Sequence, residues 1–119
     1  MRDEIMWWMS RLTIMLTSLF LSFSLAASAN AAEIQMGYDG NLVFEPNELT
    51  VNAGETVTFV NNALPPHNII VDGRADLSRE SLMFSPGETQ EIVFSDTGDF
   101  NFKCAPHEGA GMKGVIHVK

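Results

Sequence analysis

Four side chains that bind soft metal ions stand in two short segments of the sequence. Cys104, His107 and Met112 follow the spacing Cys-x2-His-x4-Met, which lets a thiol, an imidazole and a thioether converge on one point. A second imidazole, His67, stands where the segment Leu64-Pro65-Pro66 ends and a strand begins. Two imidazoles and a thiolate, with a weak axial thioether, are the ligands of electron-transfer copper sites. The predicted ligands of a single copper ion are therefore His67, Cys104, His107 and Met112.

Zinc binding and catalysis are the other interpretations of these residues. Zinc prefers cysteine and histidine ligands, with a water at catalytic sites, so the thioether of Met112 argues against zinc. A catalytic role would make Cys104 a nucleophile activated by His107. Both residues lie on one tight loop without an evident orienting Asp or Asn, so the sequence does not favour an enzyme. His117, near the end of the chain, is interpreted as a strand residue and not as a ligand.

The first 31 residues are predicted to be a signal peptide that is not part of the fold. Arg2 and Arg11 precede the uncharged apolar stretch 12–27, and Ala29-Asn30-Ala31 is the small-x-small pattern that signal peptidases recognise. We expect cleavage after Ala31. A retained membrane anchor is the alternative, although the uncharged stretch is shorter than the ~20 residues that span a bilayer.

The remaining residues, 32–119, are numerous enough to form one domain with its own core. They carry 13 acidic and five basic side chains, which gives a net charge of −8. This charge argues against nucleic acid binding, which needs a basic surface, and favours attraction to a positively charged partner. Cys104 is the single cysteine, so no intramolecular disulfide is possible. In an exported protein, a lone thiol is best explained by burial or by a metal.

Short segments of β-branched and alternating residues, separated by turn residues, indicate an all-β fold. The clearest strand segments are 56–60, 67–71, 90–94, 100–104 and 114–118. Turn signals every 8–12 residues predict about eight strands in an antiparallel Greek-key β-sandwich. Only Arg74–Ser81 suggests a helical turn.

The alternation before the cysteine predicts where its sulfur points. Phe100, Phe102 and Cys104 are two residues apart and therefore share one face of a strand. If the two phenylalanines enter the core, the sulfur of Cys104 points inward at the end of the strand. Asn101 and Lys103 then face solvent.

At these residues the sequence resembles the plastocyanin family of blue-copper proteins. The most specific stretches are Leu64-Pro65-Pro66-His67-Asn68 and the segment 106–114, which runs from Pro106 to Gly114. The resemblance implies an eight-stranded cupredoxin sandwich with one type 1 copper ion on the four residues named above. It also implies electron transfer from cytochrome f of the cytochrome b6f complex to photosystem I. Asn68 matches the family residue that ties the two ligand loops together by hydrogen bonding near the cysteine sulfur.

The resemblance further implies a flat apolar patch around the exposed edge of His107, which would be the electron port. The small or apolar residues at matching positions are Gly40, Leu42, Pro66, Gly109, Ala110 and Gly111.

Two residues depart from the family pattern. Lys103 stands where many relatives have Tyr, and Glu108 stands where cyanobacterial relatives often have Arg. The acidic residues Asp72, Asp76 and Glu80 are more dispersed than the acidic clusters of plant relatives. We therefore expect docking that is weaker or less dependent on salt than in plants.

The predicted signal peptide also indicates a location. A simple signal peptide suits direct export into the thylakoid lumen of a cyanobacterium-like cell, where the product would be a soluble monomer peripheral to the membrane. The alternative is a periplasmic cupredoxin that resembles pseudoazurin and donates electrons to a reductase. That family shares the Cys-x2-His-x4-Met spacing and often has a Lys before the Cys. Its C-terminal helices have no counterpart in the seven residues after Met112.

Overall fold

The computed structural model describes residues 32–119, which form two β-sheets packed around one apolar core. The predicted signal peptide lies outside the described residues, so its cleavage stays a prediction. Residues 32–119 contain nine strands, which are β1 (Ala32–Met36), β2 (Phe44–Glu45), β3 (Glu48–Val51), β4 (Glu55–Asn61), β5 (His67–Val71), β6 (Arg79–Met83), β7 (Thr89–Phe94), β8 (Gly98–Lys103) and β9 (Lys113–Val118). The same part of the chain has short 3₁₀ segments at Tyr38–Gly40 and Ala105–Ala110. Within 32–119, none of the helical segments has the length and apolar character needed to cross a membrane.

The strand order confirms the β-sandwich but not a purely antiparallel one. One sheet has the order β2-β1-β4-β7, and the other has the order β3-β9-β8-β5-β6. β1 pairs with β4, and β3 pairs with β9, in parallel. Each parallel pair joins strands that are not consecutive in the chain, whereas a tight hairpin can only make an antiparallel pair. The two-residue strand β2 raises the count in the described part of the chain above the predicted eight.

Aromatic side chains from both sheets meet in the core. Phe44, Phe59 and Phe102 pack edge to face, with ring centroids 4.7 to 6.3 Å apart. Phe59 is buried because β4 alternates and sends Val57, Phe59 and Asn61 inward. Full burial of each such apolar side chain stabilises the fold by about 1.5–3 kcal/mol.

The end of β8 confirms the predicted direction of the cysteine. Phe102 and Cys104 are buried and Phe100 is half-buried, whereas Asn101 is exposed and Lys103 is partly exposed. The alternation therefore carries the sulfur into the sandwich at the point where β8 ends.

The predicted helical turn over Arg74–Ser81 is wrong in its extent. One turn closes where the Ser78 N–H donates to the Arg74 carbonyl at 3.1 Å. The Ser78 hydroxyl then accepts a hydrogen bond from the Val71 N–H at 2.9 Å, and β6 begins at Arg79. The serine side chain satisfies backbone groups that a longer helix would have paired, so the chain can leave the turn as a strand.

Candidate metal centre

The four predicted ligands lie at one end of the sandwich. β5 and β8 are antiparallel neighbours, so the start of β5, where His67 lies, is beside the end of β8, which Cys104 follows. His107 belongs to the 3₁₀ segment Ala105–Ala110, and Met112 immediately precedes β9. β5 also changes register against β6 between His67 and Ile69. Such an irregularity can re-aim a side chain at a site.

Backbone hydrogen bonds close the loop that carries three of these residues. The Cys104 N–H donates to the Met112 carbonyl, and the His107 N–H donates to the Cys104 carbonyl, both at 3.1 Å. The Met112 N–H donates to the His107 carbonyl at 3.3 Å. Gly111 has a φ of 84°, a left-handed conformation that suits glycine, and its N–H donates to the Glu108 carbonyl. The loop is therefore fixed by its own backbone around the three side chains.

Three donor atoms form a nearly equilateral triangle. The Nδ1 atoms of His67 and His107 are 3.2 Å apart, and the Cys104 Sγ lies 3.3 Å from the Nδ1 of His107 and 3.7 Å from that of His67. The point equidistant from the three atoms is about 2 Å from each, close to the metal–ligand distances of imidazole and thiolate. The donor set therefore fits one transition-metal ion, which these side chains would hold between them.

Burial divides the four residues into two kinds. His67, Cys104 and Met112 are fully buried, and the Cys104 and Met112 side chains belong to the core cluster. His107 is only partly buried. A metal at this place would be enclosed by protein on the side of His67 and reached from solvent through the ring of His107.

Burial favours the uncharged forms of both the His67 imidazole and the Cys104 thiol. Burial lowers the pKa of His67, and the neighbouring His107 lowers it further, against the opposing effect of the Ala63 carbonyl. Burial raises the pKa of the Cys104 thiol, and the backbone N–H groups of Asn68 and His107 partly offset this. Metal binding requires a neutral imidazole and a thiolate. A bound cation would supply the positive charge that stabilises the buried thiolate.

Asn68 links the two ligand segments, as the family resemblance implies. Its Oδ1 accepts a hydrogen bond from the Ala105 N–H at 2.8 Å, and its Nδ2 donates to the Glu80 carbonyl at 3.1 Å. The amide thus holds the residue after Cys104 against the start of β5 and against β6. Such outer contacts fix the orientation of metal ligands.

His117 takes no part in this cluster. It lies in β9, where its Nδ1 contacts Asp99 at 2.6 Å and its Nε2 contacts Glu48 at 2.7 Å. These carboxylates raise the pKa of His117, with the contact to Asp99 as the larger cause. The imidazole therefore joins three neighbouring strands and agrees with the interpretation of His117 as a strand residue.

Two features of the site were not predicted from the sequence. Gly37, at the end of β1, lies against the imidazole of His67, as the position of a notional Cβ shows. Lys103 and Glu108 form an ion pair beside the ligand loop. A glycine directly after a strand, such as Gly37, is only a weak signal of a close backbone approach. Two opposite charges five residues apart, such as Lys103 and Glu108, are an even weaker signal of an ion pair.

Comparison with known proteins identifies the family. Residues 31–119 match the family described as copper binding proteins, plastocyanin/azurin family. The chain belongs to this family. It is 46% identical over 106 residues to a chloroplastic plastocyanin of Physcomitrium patens, with 82% of this chain and 63% of that relative covered. It is 41% identical over 123 residues to a plastocyanin of Nostoc punctiforme, with 91% of this chain and 88% of that relative covered.

Solved structures of similar proteins share the fold. A mutant plastocyanin of a fern superposes with a TM-score of 0.68 at 33% identity, covering 74% of this chain and all of that one. Amicyanin from Paracoccus versutus gives a TM-score of 0.63 at 25% identity, covering 79% of this chain and 86% of that one. The sandwich described above is therefore a cupredoxin fold.

Family membership and the donor set agree on the metal. Copper is the cofactor of this family, and His67, Cys104, His107 and Met112 form the pattern of a type 1 copper site. A thioether is a poor ligand for zinc, so Met112 argues against a zinc site. The chain is a blue-copper electron carrier by family.

Proposed function

We propose that this chain is the mobile type 1 copper carrier that takes electrons from cytochrome f and delivers them to photosystem I. In this proposal the copper ligands are His67, Cys104, His107 and Met112. The observation that carries the proposal is the asymmetric burial of the donor triangle. His67 and Cys104 are buried, whereas His107 is partly exposed beside small residues of the loop.

The bound copper supplies a one-electron couple between Cu(I) and Cu(II). The protein contributes a donor set that is held in place by residues outside it. Backbone hydrogen bonds fix the loop 104–112, and Asn68 joins that loop to β5. A site that keeps its shape in both oxidation states loses little energy to reorganisation when an electron arrives or leaves. The sulfur of Met112, enclosed in the core, would be a weak ligand of the copper and would tune its potential.

We expect an apolar rim around the exposed side of the centre, at the positions that the family resemblance indicates. Leu64, three residues before His67, is 61% exposed, which is high for a large apolar side chain. Gly40, Gly109, Ala110 and Gly111 are also exposed, whereas Leu42 and Pro66 are half-buried. Small and apolar residues let a partner approach the ring of His107 closely without a large cost of dehydrating charges. This rim is where we expect both partners to dock.

The proposed location is the thylakoid lumen, reached by export and cleavage after Ala31. The plastocyanins of Physcomitrium patens and Nostoc punctiforme support a role in photosynthesis. N-terminal sequencing of the protein purified from its own cells tests the cleavage. A chain that begins at Ala32 is the expected result, and a chain that keeps residues 1–31 would mean a retained anchor.

The partners are tested by the reduction of flash-oxidised photosystem I with two variants that add the same charge. Leu64→Glu places a carboxylate on the apolar rim. Val93→Glu places one at a 46% exposed position of β7, which is in the sheet that does not contain β5 and β8. We expect Leu64→Glu to slow the reduction about tenfold, since an unpaired charge at a docked surface costs affinity, and Val93→Glu to stay within about twofold. Equal rates for the two variants would place docking elsewhere.

The same experiment separates the proposal from its alternative. Absence of electron transfer between the unmodified copper protein and photosystem I would contradict the photosynthetic role. Rapid donation to a periplasmic reductase instead would favour the pseudoazurin-like function.

A further inference from the structure

The imidazole of His67 stands with its Nδ1 towards the donor triangle and its Nε2 towards the backbone of Gly37. A Cβ added at Gly37 would lie 2.8 Å from the Nε2 and 3.4 Å from the Cδ2 of His67. It would also lie 3.3 Å from the Ala63 carbonyl oxygen. The first distance is too short for a methyl group, so a side chain at residue 37 would have to push the ring or the backbone aside.

We propose that Gly37 is a positioning residue of the copper site, which sets the depth and tilt of the His67 ring by supporting it from behind. This inference rests on the proposed role of His67 as a ligand. The ring is fully buried, and the polar contact of its Nε2 within residues 32–119 is a poorly directed one to the Ala63 carbonyl. Packing against Gly37 and the nearby Ala63 carbonyl therefore defines the position of that end of the ring.

The support behind the ring is itself held rigidly. The Gly37 N–H donates to the Val43 carbonyl at 3.0 Å, and the Gly40 N–H donates to the Gly37 carbonyl at 3.0 Å. Met36, the preceding residue, is buried in β1 and accepts a hydrogen bond from the Asn62 N–H at 2.8 Å. Because both sides of Gly37 are fixed, a clash there would be relieved mainly by movement of the imidazole.

Movement of the ring would reach the metal directly. The Nδ1 of His67 is 3.2 Å from that of His107 and 3.7 Å from the Cys104 sulfur, so a shift of a few tenths of an ångström changes the triangle. Groups that orient a metal ligand typically change metal affinity by about 10- to 100-fold when they are altered. Gly37 would act in this way because it has no side chain that would displace the His67 ring.

Gly37 also has a φ of 75°, which by itself favours glycine. Gly73, in the turn after β5, supplies the matched control, because its φ is 71° and a Cβ there would meet nothing within 4 Å. Gly37→Ala and Gly73→Ala therefore impose similar backbone strain, and only the former presses on His67.

The first measurement is made on the metal-free protein, and it compares each glycine variant in the natural chain and in a His67→Ala chain. We expect Gly37→Ala to lower the urea midpoint markedly with His67 present and much less without the ring. Gly73→Ala should lower it equally in both chains. A Gly37→Ala chain that folds only in the His67→Ala background would give the same answer. Equal losses in both backgrounds, or failure to fold in both, would overturn the proposal.

The second measurement is made on the copper-loaded protein. We expect Gly37→Ala to weaken Cu(II) binding about tenfold or more and to change the ratio of its visible absorption bands, because the position of a ligand has moved. Gly73→Ala should leave both unchanged. A Gly37→Ala protein with the natural spectrum and affinity would overturn the proposal. If the natural chain itself showed no blue band, the proposed function would fail, and the metal-free comparison would still decide the contact.

Discussion

Lys103 and Glu108 are paired across the ligand loop, with the ammonium nitrogen 3.3 Å from a carboxylate oxygen. Asp72 lies 3.8 Å from the same nitrogen. These are the two residues at which the sequence departs from the family pattern, and they flank Cys104 and His107. The departures therefore compensate one another in charge, and the surface beside the loop gains no net charge from the pair.

This pairing predicts opposite shifts of the reduction potential for two single variants. Lys103→Met removes a positive charge and should lower the potential, whereas Glu108→Gln should raise it, because a nearby cation disfavours Cu(II). We expect shifts of about 10–40 mV, less than the ~59 mV that corresponds to a tenfold change for one electron. The double variant should return close to the natural value in voltammetry. Shifts in the same direction would show instead that the pair acts by holding the loop in place.

The role of Met112 can be tested with a substitution that preserves volume. Met112→Leu keeps a buried apolar side chain, so it should cost less than about 1.5 kcal/mol of folding free energy. It removes a weak electron-donating ligand, which would stabilise the electron-poor Cu(II) state more than Cu(I), and the reduction potential should therefore rise. Voltammetry and thermal unfolding measure the two effects separately. An unchanged potential would exclude Met112 as a ligand.

His117 predicts a dependence of stability on pH. Its contacts with Asp99 and Glu48 raise its pKa, so the folded state holds the proton more tightly than the unfolded state does. The stabilisation is fully present below the unfolded pKa of about 6.5 and is lost as the pH rises through the higher folded pKa. His117→Gln should therefore cost most stability at acidic pH, and the difference from the natural chain should shrink towards alkaline pH. Urea unfolding across this range measures it, and a difference that grows with pH would contradict the account.

Gly114 is required for packing and not for backbone conformation. A Cβ there would overlap the Phe102 ring and would lie 2.6 Å from the Asn47 carbonyl oxygen. We expect Gly114→Ala to destabilise the fold by about 1–3 kcal/mol, the usual range for overpacking. Gly109→Ala is the control, because a Cβ at Gly109 would meet nothing within 4 Å. Chemical unfolding that gave the two variants the same stability would contradict this assignment.

Local patterns were sufficient to predict the β-sandwich and the inward direction of Cys104. The alternation in β8 and the spacing of the ligand loop both depend on neighbouring residues, and such signals can be read directly. The parallel pairing of β1 with β4 could not be predicted, because it depends on which strands a crossover brings together. The helical turn at Arg74–Ser81 was overestimated because the side chain of Ser78 ends it.

The unpredicted parts of the site depend on contacts between distant segments. Gly37 and His67 are 30 positions apart, and their contact exists only once β1 and β5 are packed. The ion pair of Lys103 and Glu108 likewise requires the 3₁₀ segment to fold back beside β8. Residue types identified the donors, and the folded backbone determines what surrounds them.

The most direct test of the central claim is titration of the purified chain with Cu(II), followed by its visible spectrum. We expect an intense thiolate-to-copper absorption band that saturates at one copper per chain and is bleached by ascorbate. Cys104→Ser should abolish the band, since the sulfur of Cys104 is the donor of the transition. A colourless natural chain, or a blue colour that survives Cys104→Ser, would contradict the copper site described above.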